Sequence, residues 1–156
     1  MFAEQFSPAG DPRYAEVEET NQFLLRFPSG FVANCFCSYG ARDDKHQRIH
    51  FYAATADMPN AYQYQGQRLT IQQNQNGTDE HQELMIPQKN QFAQEIDHLA
   101  DCVLTGRAPR TPGEEGLQDH IIMDAIYQSG RTGRPVNLKR YTTIDTFRGP
   151  PLEMAG

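Results

Sequence analysis

Two hydrophobic periods divide this chain. Up to about residue 87 apolar side chains return at every second position, and from residue 90 they return every third or fourth. The clearest alternation runs through "TNQFLLRFPSGFVANCFCSYG". Phe23, Leu25 and Phe27 alternate with Gln22, Leu24 and Arg26, and Phe31, Ala33, Cys35 and Cys37 alternate with Val32, Asn34, Phe36 and Ser38. Between them "PSG" (28–30) offers a glycine for a positive φ, so the stretch predicts a β-hairpin with one mostly apolar face. Residues 1–19 are rich in turn formers and predict one short edge strand followed by an exposed loop. Further strands are expected at 48–54 ("RIHFYAA"), in two pieces bent near Gly66 over 61–73 ("AYQYQGQRLTIQQ"), and at 82–87 ("QELMIP"), with an Asn-Gly hairpin signal in "NQNGTDE" (74–80).

The helical period begins with Phe92, Ile96, Leu99 and Val103, one stripe of a helix with Asn90 as N-cap and Gly106 just past its end. A second helix has Leu117, Ile121, Ile122, Ala125 and Ile126 as its buried face, Gly130 and Gly133 at its end, and a last strand "RPVNL" (134–138) after it. The corner between the helices, "TGRAPRTPGEEG", reads as capping. Gly106 and Pro109 stop the first helix. Thr111, Pro112 and Glu114 start the second as a capping box, and Glu114 and Glu115 suit its positive end. Residues 141–156 are expected to form an irregular arm. Strands first and helices after predict an α+β layer, helices on one face of a largely antiparallel sheet.

Composition narrows the classes. A chain of 156 residues is enough for one domain with a core, and a net charge of −6 argues against a polyanion-binding surface, so nucleic acid is not expected as a partner. No apolar run approaches the roughly 18 residues of a membrane span, and "MFAEQFSPAG" lacks a basic and an apolar leader region. Three cysteines without framework spacing read as reduced, buried thiols, and the default address is cytoplasmic. Ten glutamines fall between residues 63 and 94, a neutral polar face for one side of a sheet.

Candidate chemistry is sparse. His46, Arg48 and His50 fall on one strand face, but the two histidines are roughly 13 Å apart along the strand, too far for one metal ion. His98 and Asp101, and His120 and Asp124, read as surface pairs on helices. Ser29, Ser38 and Ser129 have no nucleophile-elbow context. No metal site is expected.

"EIDHLADCVLTGRAPRTPGEEGLQDHIIMDAIYQSGRTGRPVNL" resembles the C-terminal end of the glucose–fructose oxidoreductase / inositol dehydrogenase / rhizopine catabolism (Gfo/Idh/MocA) family of NAD(P)-dependent oxidoreductases. "GDPRYAEVEETNQFLLRFPSGFVANCFCSYGA" is similar to that family's first hairpin, closest to its glucose–fructose oxidoreductase-like branch, and "YQYQGQRLTI" to its Tyr-x-Gly-x-x-Leu strand. The resemblance spans about residues 10–140, and "YAATADMP" stands where the family has a Gly-rich sheet turn. It implies the open mixed sheet of a glyceraldehyde-3-phosphate dehydrogenase-like C-terminal domain over residues 1–140. The family's Rossmann half, with its Gly-x-Gly-x-x-Gly turn and catalytic lysine, has no counterpart here. It also implies a sugar or polyol substrate and NAD or NADP in the full-length parent, with no catalytic, cofactor-binding or metal residues in this chain. Alone, the chain is expected to be inactive and to bind no dinucleotide.

By the same resemblance, Tyr39 and Arg42 in "SYGAR" are substrate contacts; read without it, they are an aromatic strand end and a solvated arginine. The sheet face, with Tyr52, Tyr62, Tyr64 and the glutamines, is expected to make a homo-oligomer, a dimer at least. The alternative is a stand-alone α+β binding or dimerisation module without cofactor.

Overall fold

The computed structural model describes residues 1–42, 46–75 and 77–138; the arm expected at 141–156 lies outside the described residues. The fold is α+β. Contacts divide it into two units, one of Met1–Ala41 with the chain from Thr105, the other Arg42–Leu104.

In the first unit β1 (Phe2–Phe6), β2 (Thr20–Arg26) and β3 (Val32–Ser38) form an antiparallel sheet in the order β1-β2-β3. The hairpin is the predicted one. Phe23 pairs with Cys35 and Leu25 with Ala33, so the apolar set shares a face. Gly30 has φ +87°, which lets the turn close through Gly30 N–H to Phe27 O at 2.9 Å. Asp11 caps a single 3-10 turn (Pro12–Tyr14) in the loop after β1.

Helix α2 (Gly113–Thr132) packs on β1. Ala3, Ala125 and Ile126 are buried, and Ser129 is fully so. The Ser129 hydroxyl accepts from Ala3 N–H at 2.9 Å and donates to Arg134 O at 2.8 Å. It thereby satisfies two backbone groups that would each cost about 1–3 kcal/mol if buried unpaired. The approach is close: a Cβ on Gly130 would lie 2.5 Å from Gln5 Oε1. Gly130 is therefore an internal contact of α2, and Gly133, at φ +63°, ends the helix with its N–H on Ser129 O. Leu117, expected on the buried face, is exposed. The expected Thr111 cap is not formed; the N-cap is Pro112, with no side-chain cap bond.

Residues 134–138 are not a strand. Val136 exchanges two bonds with Met1, each 2.8 Å, and Pro135 has no N–H with which to extend the ladder. The outer face of the sheet carries Phe6, Leu24, Val32 and Phe36, all exposed.

The second unit holds β4 (Gln47–His50), β5 (Ala54–Met58), β6 (Leu69–Gln75) and β7 (Thr78–Leu84), antiparallel in that order. The expected strand 48–54 is two strands around a turn at 51–53, closed by Phe51 N–H to Ala54 O at 2.7 Å. The alternation runs through that turn without Gly or Pro to mark it. Residues 61–66 are turn, tied by Asn60 Nδ2 to Gly66 O at 3.0 Å, with Gly66 at φ +74°. The strand expected at 82–87 ends at Leu84, and Met85 and Ile86 are exposed beyond it. Gly77, at φ +84°, turns the β6–β7 hairpin with its N–H on Asn74 Oδ1.

One face of this sheet carries Ile49, Ala56 and Ile71 in register; the other carries Arg48, Asp57, Thr70 and Glu83 in one row and His50, Thr55, Gln72 and His81 in the next. Helix α1 (Gln91–Thr105) begins as expected, with Ala93 N–H on Asn90 Oδ1 at 3.1 Å, and Gly106 follows it at φ +70°. Its stripe of Phe92, Ile96, Leu99 and Val103 is exposed, and the Phe92 ring meets Tyr64 at 5.6 Å.

Candidate functional site

Polar groups converge where β2 begins and β3 ends. Thr20 faces Ser38 as the last register pair, and Tyr39 N–H continues the ladder to Glu19 O at 2.9 Å. The Glu19 carboxylate accepts from Ser38 Oγ and Thr20 Oγ1, both at 2.8 Å. The Ser38 hydroxyl, then Thr20 and the Gly40 N–H, hold its pKa below the usual carboxylate value. A Cβ at Gly40 would overlap that carboxylate, which is why a glycine fits here.

Glu18 sits beside it. Its Oε1 accepts from Asn21 Nδ2 at 3.1 Å, and its Oε2 accepts from Tyr127 Oη at 2.9 Å, a bond that reaches from β2's entry to α2. The bond to Glu18 raises the Tyr127 pKa, helped by burial, by the charge of Glu18, and by Cys37 and Tyr39 nearby. Asn21 is buried, at 7% exposure, and its Oδ1 has no hydrogen-bond partner. Cys37 Sγ lies 3.7 Å from Asn21 O, and burial followed by Glu18 raises its pKa.

Of the two residues expected from the sequence, Tyr39 lies in this cluster with its side chain exposed. Arg42 is exposed and belongs to the second unit. Sequence reasoning missed Glu18, Asn21 and Tyr127. Tyr127 is 109 positions from Glu18, and its only local signal is its place between buried Ile126 and buried Ser129. The cluster offers carboxylate oxygens and phenol hydroxyls. Those are donors and acceptors for hydroxyl groups; a phenol with a raised pKa is a poor base near neutral pH.

The second unit has its own polar row. Asp57 Oδ1 meets His46 Nε2 at 2.5 Å and Arg48 Nε at 2.6 Å, and His50 Nδ1 meets Thr55 Oγ1 at 3.3 Å. Across β6–β7, Gln72 bonds His81 at 3.2 Å and Asn74 bonds Asp79 at 2.7 Å. A shallow cleft of about 490 Å³ lies among Phe51, Tyr52, Gln73, Glu80 and these groups. On α1 His98 Nε2 lies 3.6 Å from Cys102 Sγ. Among the described residues no group of three or more His, Cys, Asp or Glu side chains is arranged to hold a metal ion.

A dinucleotide needs a strand, a Gly-rich turn and a helix N-terminus aimed at the pyrophosphate. Among the described residues all strand pairs are antiparallel. Helix α1 opens after Pro87, and α2 opens with Glu114 and Glu115 in its first turn, charges that repel a phosphate. Among the described residues neither helix start fits the pyrophosphate of NAD(P).

Residues 3–138 match the family model described as the oxidoreductase family, C-terminal alpha/beta domain (Gfo/Idh/MocA). The chain belongs to this family. It is 29% identical over 126 residues to the D-xylose 1-dehydrogenase [NADP(+)] of Haloarcula marismortui, a match covering 80% of this chain and 34% of that protein. It is also similar to the aldose-aldose oxidoreductase of Caulobacter crescentus, whose crystal structure is complexed with glycerol. There the identity is 37% and the TM-score 0.73, over 88% of this chain and 40% of that one. The chain thus spans well under half the length of these relatives. Among the described residues no helix is long and apolar enough to cross a membrane.

Proposed function

We propose that this chain is the substrate-side domain of an NAD(P)-dependent sugar oxidoreductase in the cytoplasm. In the parent enzyme a hydride passes between a sugar carbon and nicotinamide, and this domain supplies a wall of the sugar site while the dinucleotide is held elsewhere. The observation that supports the reading is the cluster of carboxylate, amide and phenol groups around Tyr39, in a family domain whose relatives include a D-xylose dehydrogenase and an aldose oxidoreductase. Tyr39 contacts the sugar in this reading, and Tyr39→Ala weakens sugar binding. Calorimetric titration of the chain with NAD⁺ and NADP⁺ is expected to show no binding; micromolar affinity for either would overturn the division of labour.

The sheet is also an assembly surface. Its candidates on strands are Phe6, Leu24, Val32 and Phe36, because Tyr52, Tyr62 and Tyr64 stand in turns. An uncovered row of this kind fits a second copy of the domain. Sedimentation is expected to give about twice the chain mass of 17.7 kDa; a monomer at high concentration removes this assignment.

A further inference from the structure

We infer that Glu18 is the acceptor for a vicinal diol of the sugar and that Tyr127 is its positioning residue. The inference rests on the proposal that the Tyr39 strand end meets the substrate. A carboxylate offers about four lone-pair sites. Glu18 uses one at Oε1 for Asn21 and one at Oε2 for Tyr127, so each oxygen keeps one open. One open site on each oxygen of a planar carboxylate matches two O–H donors on adjacent carbons.

The neighbouring Glu19 differs. Ser38, Thr20 and the Gly40 N–H already occupy it, so it holds the corner together. Tyr127 Oη–H donates a hydrogen bond to Glu18 Oε2, which fixes the carboxylate plane and leaves lone pairs on the phenol oxygen for a third hydroxyl. The second observation is Asn21. Its Nδ2 is bonded to Glu18, and its Oδ1, carried on a side chain more than nine-tenths buried, has no partner. A buried carbonyl oxygen of this kind is costly unless a hydroxyl reaches it. Tyr39, 78% exposed, offers a ring to the C–H face of the same ligand.

Saturation-transfer NMR on the chain tests this with D-xylose, with glycerol as the smallest vicinal diol, and with 1,3-propanediol, which has two hydroxyls but no vicinal pair. Xylose and glycerol are expected to bind, and 1,3-propanediol to bind several-fold more weakly. Glu18→Gln is expected to weaken xylose about tenfold, the loss of a hydrogen bond to a charged group. Glu18→Asp, which keeps the charge but draws it back, is expected to lose binding as well, and it serves if the Gln variant does not fold. Tyr127→Phe is expected to weaken xylose by a smaller factor and to abolish the preference for glycerol over 1,3-propanediol.

Glu18 variants that bind xylose like the parent, or equal binding of glycerol and 1,3-propanediol, overturn the inference. Tyr39→Ala with full xylose binding overturns the reading of Tyr39 while leaving Glu18 standing. No transfer from the parent chain to any of the three ligands overturns both.

Discussion

The two units of this chain hold their sheets by different means. In the first, α2 lies on β1 with Ala3, Ala125 and Ile126 buried and a serine bonding two backbone groups between them. In the second, buried residues are few, Thr70 and Cys102 among them, and much of the order comes from side-chain bonds across neighbouring strands. Apolar contact depends on area removed from water. Polar ladders at a surface contribute about 1 kcal/mol or less per pair. The first unit therefore relies more on apolar packing than the second. The second carries an apolar helix stripe, Phe92, Ile96, Leu99 and Val103, that is exposed among the described residues.

The sharpest way to break this comparison is to remove equal methyl groups from each helix. Ile126, 5% exposed, should cost roughly 2–5 kcal/mol as Ile126→Ala, the lost burial plus the cavity left behind. Ile96, 67% exposed on α1, should change stability by about 0.5 kcal/mol or less in the isolated chain. Urea denaturation followed by circular dichroism reads both. Equal losses would mean that the α1 stripe is packed and that the contrast between the units is false.

The polar row gives a smaller, pH-dependent effect. Arg48, first, and His46 hold the Asp57 carboxyl below its ordinary value of 3.8. A depressed folded pKa gives stability that is complete above the unfolded value and is lost as pH falls through the folded one. Asp57→Asn is therefore expected to lower stability by on the order of 1 kcal/mol at neutral pH. The gap to the parent should close as pH falls below about 4. A gap unchanged in strong acid would show that the Asp57 ion pair contributes nothing.

The sequence was most legible where a single residue type forces the backbone. Gly30 and the flanking alternation marked the first hairpin, and Asn90 and Gly106 marked both ends of α1. It was least legible where the chain turns without glycine or proline. The alternation of "RIHFYAA" continues through residues 51–53, so one strand was expected where two stand. The last expected strand failed for a related reason, because "RPV" looks extended but Pro135 cannot donate to a ladder. In the candidate cluster, Tyr39 was singled out by the family resemblance. Glu18 and Tyr127 were not, because their bond depends on where α2 lies on the sheet, and no local pattern encodes that.

The two helix starts offer the finest test, since both looked capped in the sequence and only one is. Asn90 Oδ1 accepts from Ala93 N–H, satisfying a donor that the first turn of α1 would otherwise present to water. At α2 the N-cap is Pro112, which has no side-chain acceptor, and Thr111 stands one position outside the cap, where it makes no cap bond. Asn90→Ala should cost about 1 kcal/mol and Thr111→Ala close to nothing, about 0.3 kcal/mol at most. Amide hydrogen exchange in the first turn of each helix localises the effect: faster exchange at Ala93 in the first variant, no change at Glu115 in the second. If Thr111→Ala instead opens α2, the capping box read from "TPGE" is formed in solution, and the second helix depends on its entry as much as the first.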